Sequence, residues 1–103
     1  MSDWYIYMIR CRDGSLYTGI TTDVPRRLAE HRENGNAGAK YLRGRGPLTL
    51  VLQKSIGSKS MALSVEIKVK ELPKIKKEEL LQSDTSIERI IQEVRDGVTH
   101  ESD

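Results

Sequence analysis

Trp4-Tyr5-Ile6-Tyr7-Met8-Ile9-Arg10-Cys11, then Arg12-Asp13-Gly14, then Ser15-Leu16-Tyr17-Thr18-Gly19-Ile20 is the stretch on which the fold turns. Its first part alternates and is rich in tyrosine, isoleucine and methionine, which suits a strand with Tyr5, Tyr7, Ile9 and Cys11 on one face. Asp13-Gly14 is a strong turn signal. A two-residue loop there pairs Arg10 with Tyr17 and puts Tyr7 and Tyr17 on opposite faces. A three-residue loop, Arg12-Asp13-Gly14 with Gly14 left-handed, pairs Ile9 with Tyr17 and Tyr7 with Gly19. The two tyrosines are then diagonal neighbours on one face, roughly 7–8 Å apart at the backbone. A site that uses both requires this second arrangement. Gly19, opposite Tyr7, leaves room for something to approach the backbone closely.

A helix start follows at Thr22-Asp23-Val24-Pro25, with Thr22 or Asp23 as N-cap and proline tolerated in the first turn. The helix is expected to run to about Asn34, where Asn34-Gly35-Asn36 ends it. Val24, Arg27, Leu28 and His31 share one face, while Arg26, Glu30 and Glu33 point more outward. Two tyrosines on adjacent strands, a glycine and an Arg/His helix make a candidate catalytic surface. In isolation, Arg27 also reads as a snorkelling surface residue and His31 as a boundary histidine.

Residues 35–46 form a long glycine-rich loop carrying Lys40, Arg43 and Arg45 around Tyr41. Basic residues interleaved with an aromatic suit phosphate contact and base stacking; the other reading is a flexible connector. The Gly-Lys-Ser/Thr of a P-loop is missing. Pro47 to Ser55 reads as a third strand, central in the sheet. Ser58 or Ser60 caps a helix to about Leu72, whose apolar positions Met61, Ala62, Leu63, Val65, Ile67, Val69 and Leu72 predict burial around most of its circumference. Glu66 falls within that belt, where a carboxylate needs a partner, so it is a metal-ligand candidate or a salt-bridge residue. Pro73 breaks the chain before Lys74, Lys76, Lys77 and a short helix to about Gln82. A last helix is expected from Thr85, where Thr85-Ser86-Ile87-Glu88 fits a capping box. Its narrow apolar face, Ile87, Ile90, Ile91 and Val94, can pack on the domain, cover the basic surface or bind a protein partner. Residues 97–103 are expected to be disordered.

The whole chain of 103 residues suits one modest core, and with 37% hydrophobic content and no phenylalanine that core is aliphatic, supplemented by tyrosine and Trp4. Cys11 is the single cysteine, which excludes an intrachain disulfide, and two distant histidines exclude a Cys/His zinc cluster. No apolar run approaches the roughly 20 residues of a membrane span. Asp3 and the alternating pattern argue against a signal peptide, so the expectation is a soluble cytoplasmic protein. Residues 1–77 hold 15 Lys/Arg against 7 Asp/Glu, and residues 78–103 hold 2 against 8. A body of net +8 with a terminal segment of −6 suggests an anionic partner for the body, beside the plainer reading of a solvated acidic helix.

These residues resemble the GIY-YIG nuclease superfamily, and within it the small stand-alone single-domain bacterial branch (UPF0213-like). Tyr5-Ile6-Tyr7 matches the first signature, with Tyr5 where the name glycine usually sits, and Tyr17-Thr18-Gly19 matches the second. Arg27 stands where the family's catalytic arginine stands, His31 one turn later, and Glu66 in place of the metal-binding glutamate. Gly38-Ala39-Lys40-Tyr41 with Arg43-Gly44-Arg45-Gly46-Pro47 is similar to the small-protein branch. The asparagine that many members carry after the glutamate helix has no clear match; Lys77 lies in that region, where it can contact a phosphate instead. The resemblance covers about residues 4–81.

It implies an α+β fold, with a small three-stranded, mainly antiparallel sheet flanked by helices in the order β-β-α-β-α-α plus a C-terminal helix. It implies a catalytic domain at 1–82 followed by an acidic segment at 83–103. It further implies a DNA endonuclease with one Mg²⁺ or Mn²⁺ at Glu66, and catalytic Tyr7, Tyr17, Arg27 and His31. Tyr7 is the preferred general base, with exchanged tyrosine roles as the alternative. Gly19, Lys40, Tyr41, Arg43, Arg45 and Lys77 are the expected DNA contacts, on single-stranded, branched or duplex DNA.

Overall fold

The computed structural model describes residues 3–33 and 40–100, with backbone alone at residues 40 and 98–100. Strand β1 is Trp4–Arg10, β2 Leu16–Thr21 and β3 Thr49–Gly57; they form one antiparallel sheet in the order β2-β1-β3. Helix α1 (Val24–Arg32) and a 3-10 turn (Lys40–Leu42) precede β3, and α2 (Lys59–Lys70), α3 (Lys74–Leu80) and α4 (Asp84–His100) follow it. The fold is α+β with the expected element order.

The first turn is the three-residue kind. Gly14 has φ +87°, the Cys11 N–H donates to the Ser15 carbonyl at 2.9 Å, and the Gly14 N–H donates to the Cys11 carbonyl at 2.9 Å. Ile9 therefore pairs with Tyr17 and Tyr7 with Gly19. Successive β1 side chains alternate between two cores. Ile6 and Met8 join Ala62, Val65 and Val69 of α2 and Ile87, Ile91 and Val94 of α4. Tyr7 and Ile9 join Cys11, Val24, Leu42 and Leu48 on the opposite face, where α1 lies. A bidentate Arg10–Glu78 pair, at 2.8 and 2.7 Å, ties the end of β1 to α3.

Four expectations are corrected. The third strand is an edge, not the centre; β1 is central because it pairs with β2 along one side and with β3 along the other. Strand β3 also runs from Thr49 to Gly57 rather than from Pro47 to Ser55. Helix α2 is not buried around most of its circumference: Leu63 is 42% exposed and Ile67 57%, one turn apart on a flank that neither the sheet nor α4 covers. Helix α4 begins at Asp84, where the Ser83 hydroxyl accepts from the Thr85 N–H at 3.1 Å, and it continues through Gly97 to His100 instead of giving way to disorder there. Residues 101–103 lie outside the described residues. The apolar face of α4 packs on the domain. Asp23 caps α1, accepting from the Arg26 N–H at 3.1 Å, and Ser58 caps α2, accepting from the Met61 N–H at 3.2 Å. Among the described residues no helix is long and apolar enough to cross a membrane.

Candidate active site

The hairpin register brings Tyr7 and Tyr17 to one face, with ring centroids 6.3 Å apart. What approaches Gly19 is Tyr7 itself. A Cβ at position 19 would lie 2.5 Å from the Tyr7 hydroxyl and 2.6 Å from its Cζ, so Gly19 is the floor on which the phenol rests. Gly19 therefore has a structural task distinct from the expected DNA contact. Helix α1 crosses the same face and delivers the next two groups. His31 Nε2 lies 2.9 Å from the Tyr7 hydroxyl, and its ring meets Tyr17 edge-on at 5.5 Å. The Arg27 guanidinium pairs with Glu30 at 2.8 Å and lies beside the Tyr7 phenol, whose charged form it favours.

Electrostatics separate the roles of these groups. Burial pushes the Tyr7 phenol well above its ordinary range, the neighbouring Tyr17 adds to this, and the pull of Arg27 in the other direction does not compensate. Burial also lowers His31, and the Arg27 charge adds to that, against a smaller opposing effect of Glu30. The pair is thus a neutral phenol against a neutral imidazole. A stability consequence follows. The unfolded chain takes up a proton near the ordinary histidine value of 6.5, and the folded chain resists it. Thermal stability should be full above that value and fall as pH drops through it, and His31→Gln should flatten this part of the profile. The carboxylates lowered by arginine or hydroxyl partners, Asp13, Glu30 and Glu78, act only in the more acidic carboxylate range. Melting curves between pH 5 and 8 check this; a wild-type profile identical to His31→Gln would contradict it.

The described part of the basic loop is docked through Tyr41 and Arg45. Tyr41 stacks on Tyr17 at 5.9 Å, the Arg45 guanidinium lies 4.3 Å from the centre of the Tyr41 ring, and Arg45 pairs with Asp13 at 2.8 Å. Tyr41 therefore holds Tyr17 in place, and its π surface is already engaged. Residues 34–39 and the side chain of Lys40 lie outside the described residues. Arg43 stands at an exposed turn. On the other side of the tyrosines, Leu16, Tyr17, Thr18, Tyr41, Lys70 and Lys77 line an open cleft of about 340 Å³.

Glu66 joins this neighbourhood through Lys70, its partner at 3.2 Å. Its side chain is only 16% exposed. No group of three or more His, Cys, Asp or Glu that could hold an ion occurs among the described residues. The donor set thus offers one carboxylate, joined to the cleft through Lys70, which fits a hard divalent ion that keeps most of its waters. Lys70 was missed by sequence reasoning, although its place one turn after Glu66 was a usable signal.

Residues 3–79 match the GIY-YIG catalytic domain. A UPF0213 protein of Cronobacter sakazakii is 50% identical over 88 residues, covering 85% of this chain and 90% of that one. The UPF0213 protein YhbQ of Salmonella arizonae is 43% identical over 98 residues, covering 95% and 96%. Among solved structures, the solution structure of a UPF0213 protein from Bacillus halodurans is 48% identical, covers 78% of this chain and 83% of that one, and has a TM-score of 0.51. A protein of E. faecalis, also solved in solution, is 34% identical, covers 80% and 85%, and has a TM-score of 0.56.

Proposed function

The chain belongs to the GIY-YIG nuclease family, and on that premise we propose that it is a metal-dependent endonuclease hydrolysing DNA phosphodiester bonds at the Tyr7–Tyr17 face. The observation that carries this reading is the convergence of Tyr7, Tyr17 and His31 rings within 6.3 Å of one another, with Arg27 beside the Tyr7 hydroxyl.

Phosphodiester hydrolysis needs a nucleophilic water, neutralisation of the phosphate and help for the leaving oxygen. Arg27 would neutralise the phosphate. Tyr7 is 2% exposed and held protonated by burial, whereas Tyr17 lines the open cleft. This favours the exchanged assignment: Tyr17 meets the water, and Tyr7 lies behind it. As the water loses its proton to the Tyr17 oxygen, the Tyr17 proton passes to Tyr7 and the Tyr7 proton to His31 Nε2, whose imidazole burial keeps neutral and so open to a proton that it holds only weakly. Glu66 would hold the Mg²⁺ or Mn²⁺, which when bound supplies positive charge for the phosphate oxygens. Lys70 and Lys77 line the cleft where the strand would lie, and Lys40, Arg43 and Arg45 extend the basic surface. Tyr41 acts by positioning Tyr17.

The face is small, which favours flexible single strands or branched DNA over a long duplex site. The setting that fits is cytoplasmic DNA repair, recombination or processing. Any protein contact through α4 would use its outward acidic side, Glu93 and Asp96, because Ile87, Ile91 and Val94 are buried in the core. The test is cleavage of labelled single-stranded, duplex and branched DNA at low salt with Mg²⁺, Mn²⁺ or EDTA. Cutting that requires the ion and is strongest on single-stranded or branched forms is expected. Salt-sensitive binding without cutting in any condition would contradict the reading and leave a binding module.

A further inference from the structure

Beside the Tyr41 stack two turns meet tip to tip. The hairpin tip presents Arg12 and Asp13, and the turn after Leu42 presents Arg43 and Arg45. The Arg12 N–H donates to the Arg45 carbonyl at 2.9 Å, which joins the two tips, and the Arg45 N–H donates to the Leu42 carbonyl at 3.2 Å, which closes the second turn. Gly44, at φ +72°, lets the second turn reverse. Arg12, Asp13, Arg43, Gly44 and Arg45 line an open hollow of about 300 Å³.

Charge in this hollow is unevenly matched. The Asp13 carboxylate is committed, to Arg45 at 2.8 Å and to the Ser15 hydroxyl and N–H at 2.6 and 3.0 Å. Glu78, which faces the base of the hairpin, is held by Arg10. Arg12 and Arg43 are exposed and make no ion pair among the described residues. Two open guanidinium forks thus flank a third that is pinned in place. Guanidinium forks suit the paired oxygens of a phosphate, which they can bind bidentately. The hollow also adjoins the Tyr17 cleft, since Arg45 touches the Tyr41 ring and Tyr41 touches Tyr17.

We propose that the Arg12–Arg43–Arg45 hollow is a second phosphate-binding pocket that seats a backbone phosphate of the bound strand, beside the scissile phosphate at Tyr17. The inference rests on the nuclease reading and deepens it. Two anchors on either side of Tyr41 set the path and direction of the strand across the catalytic tyrosines, which is what phosphate contacts do when they carry no base information. Arg12 has no other evident task at the tip of a hairpin.

The experiment measures binding of a single-stranded oligonucleotide in EDTA, by fluorescence anisotropy, over a range of salt. It compares wild type, the double variant Arg12→Gln/Arg43→Gln, and Lys68→Gln, an exposed lysine outside both linings. Each phosphate contact contributes about 0.7 to the slope of log affinity against log salt for single strands, so the double variant, which empties a pocket that seats one phosphate, should lower the slope by about 0.7. Lys68→Gln should leave it unchanged. A double variant with the wild-type slope, or an equal fall in Lys68→Gln, overturns the pocket and leaves the nuclease reading standing. A wild type that binds no DNA overturns both. Running the series with 5′-hydroxyl and 5′-phosphorylated oligonucleotides separates the sources of the phosphate: the same fall in both supports a backbone phosphate, and a fall confined to the phosphorylated strand overturns it.

Discussion

Arg27→Ala should lower DNA cleavage by about 10³-fold, the scale set by removing one preorganised charge from a phosphoryl or oxyanion site. Among the residues brought together at this face, Arg27 carries the fixed positive charge nearest the Tyr7 phenol. Its pairing with Glu30, and then its closeness to Tyr7, keep it charged. Removal acts twice, because the phosphate loses its counter-charge and the phenol loses the one neighbour that opposes its rise. The fold should tolerate the change. The arginine side chain is 31% exposed, and Glu30 retains Arg26 at 3.3 Å. Arg27→Lys should recover part of the rate, since an ammonium restores charge without the planar fork. Single-turnover cleavage rates check the series. An Arg27→Ala variant that cuts at the wild-type rate would remove Arg27 from the machinery.

Gly19→Ala is the largest stability effect expected from one methyl group. The new Cβ would fall 2.5 Å from the Tyr7 hydroxyl and 2.6 Å from Cζ, well inside contact distance. The ring has little room to retreat, because Tyr7 is packed with Ile9, Val24 and Leu42 and bonded to His31. Overpacking of this kind costs about 1–3 kcal/mol. For a chain of this size that lowers the melting temperature by at least about 4 °C. Cleavage should fall as well, because the displaced hydroxyl leaves His31. Gly97→Ala, which meets nothing within 4 Å, is the matching control and should not destabilise. Equal melting temperatures for the two variants would mean that Tyr7 does not rest on Gly19.

The hairpin and its consequences were legible because they are local. Asp13-Gly14 marked the turn and left two loop lengths, each with its own register, and the three-residue loop, the one that puts Tyr7 and Tyr17 on one face, is the one observed. Helix α1 was legible for the same reason: Asp23 and the spacing of Val24, Arg27 and His31 define its cap and its inward side. Sheet order was not, since pairing of β1 with β3 joins residues far apart in the chain. A signal did exist. Trp4 to Ile9 contains no charged residue and alternates between two apolar sets, as a strand covered on both faces does, whereas Gln53, Lys54 and Ser55 suit an edge. The exposed flank of α2 was hidden because apolar content says how much surface a helix can bury, not how much its neighbours cover. The part played by Tyr41 was out of reach for a further reason. Its stacking on Tyr17 depends on the Arg12–Arg45 backbone contact and the Asp13–Arg45 pair, which link the hairpin tip to a loop some thirty residues later.

The most direct test of the central claim compares wild type with Glu66→Ala on the DNA form that wild type cuts best. Both are assayed for cleavage in Mg²⁺ and for binding in EDTA. The account predicts that the variant loses cutting and keeps its affinity for DNA, because Glu66 serves the ion and the arginines and lysines hold the strand. Ion-dependent cutting by Glu66→Ala at the wild-type rate would contradict it.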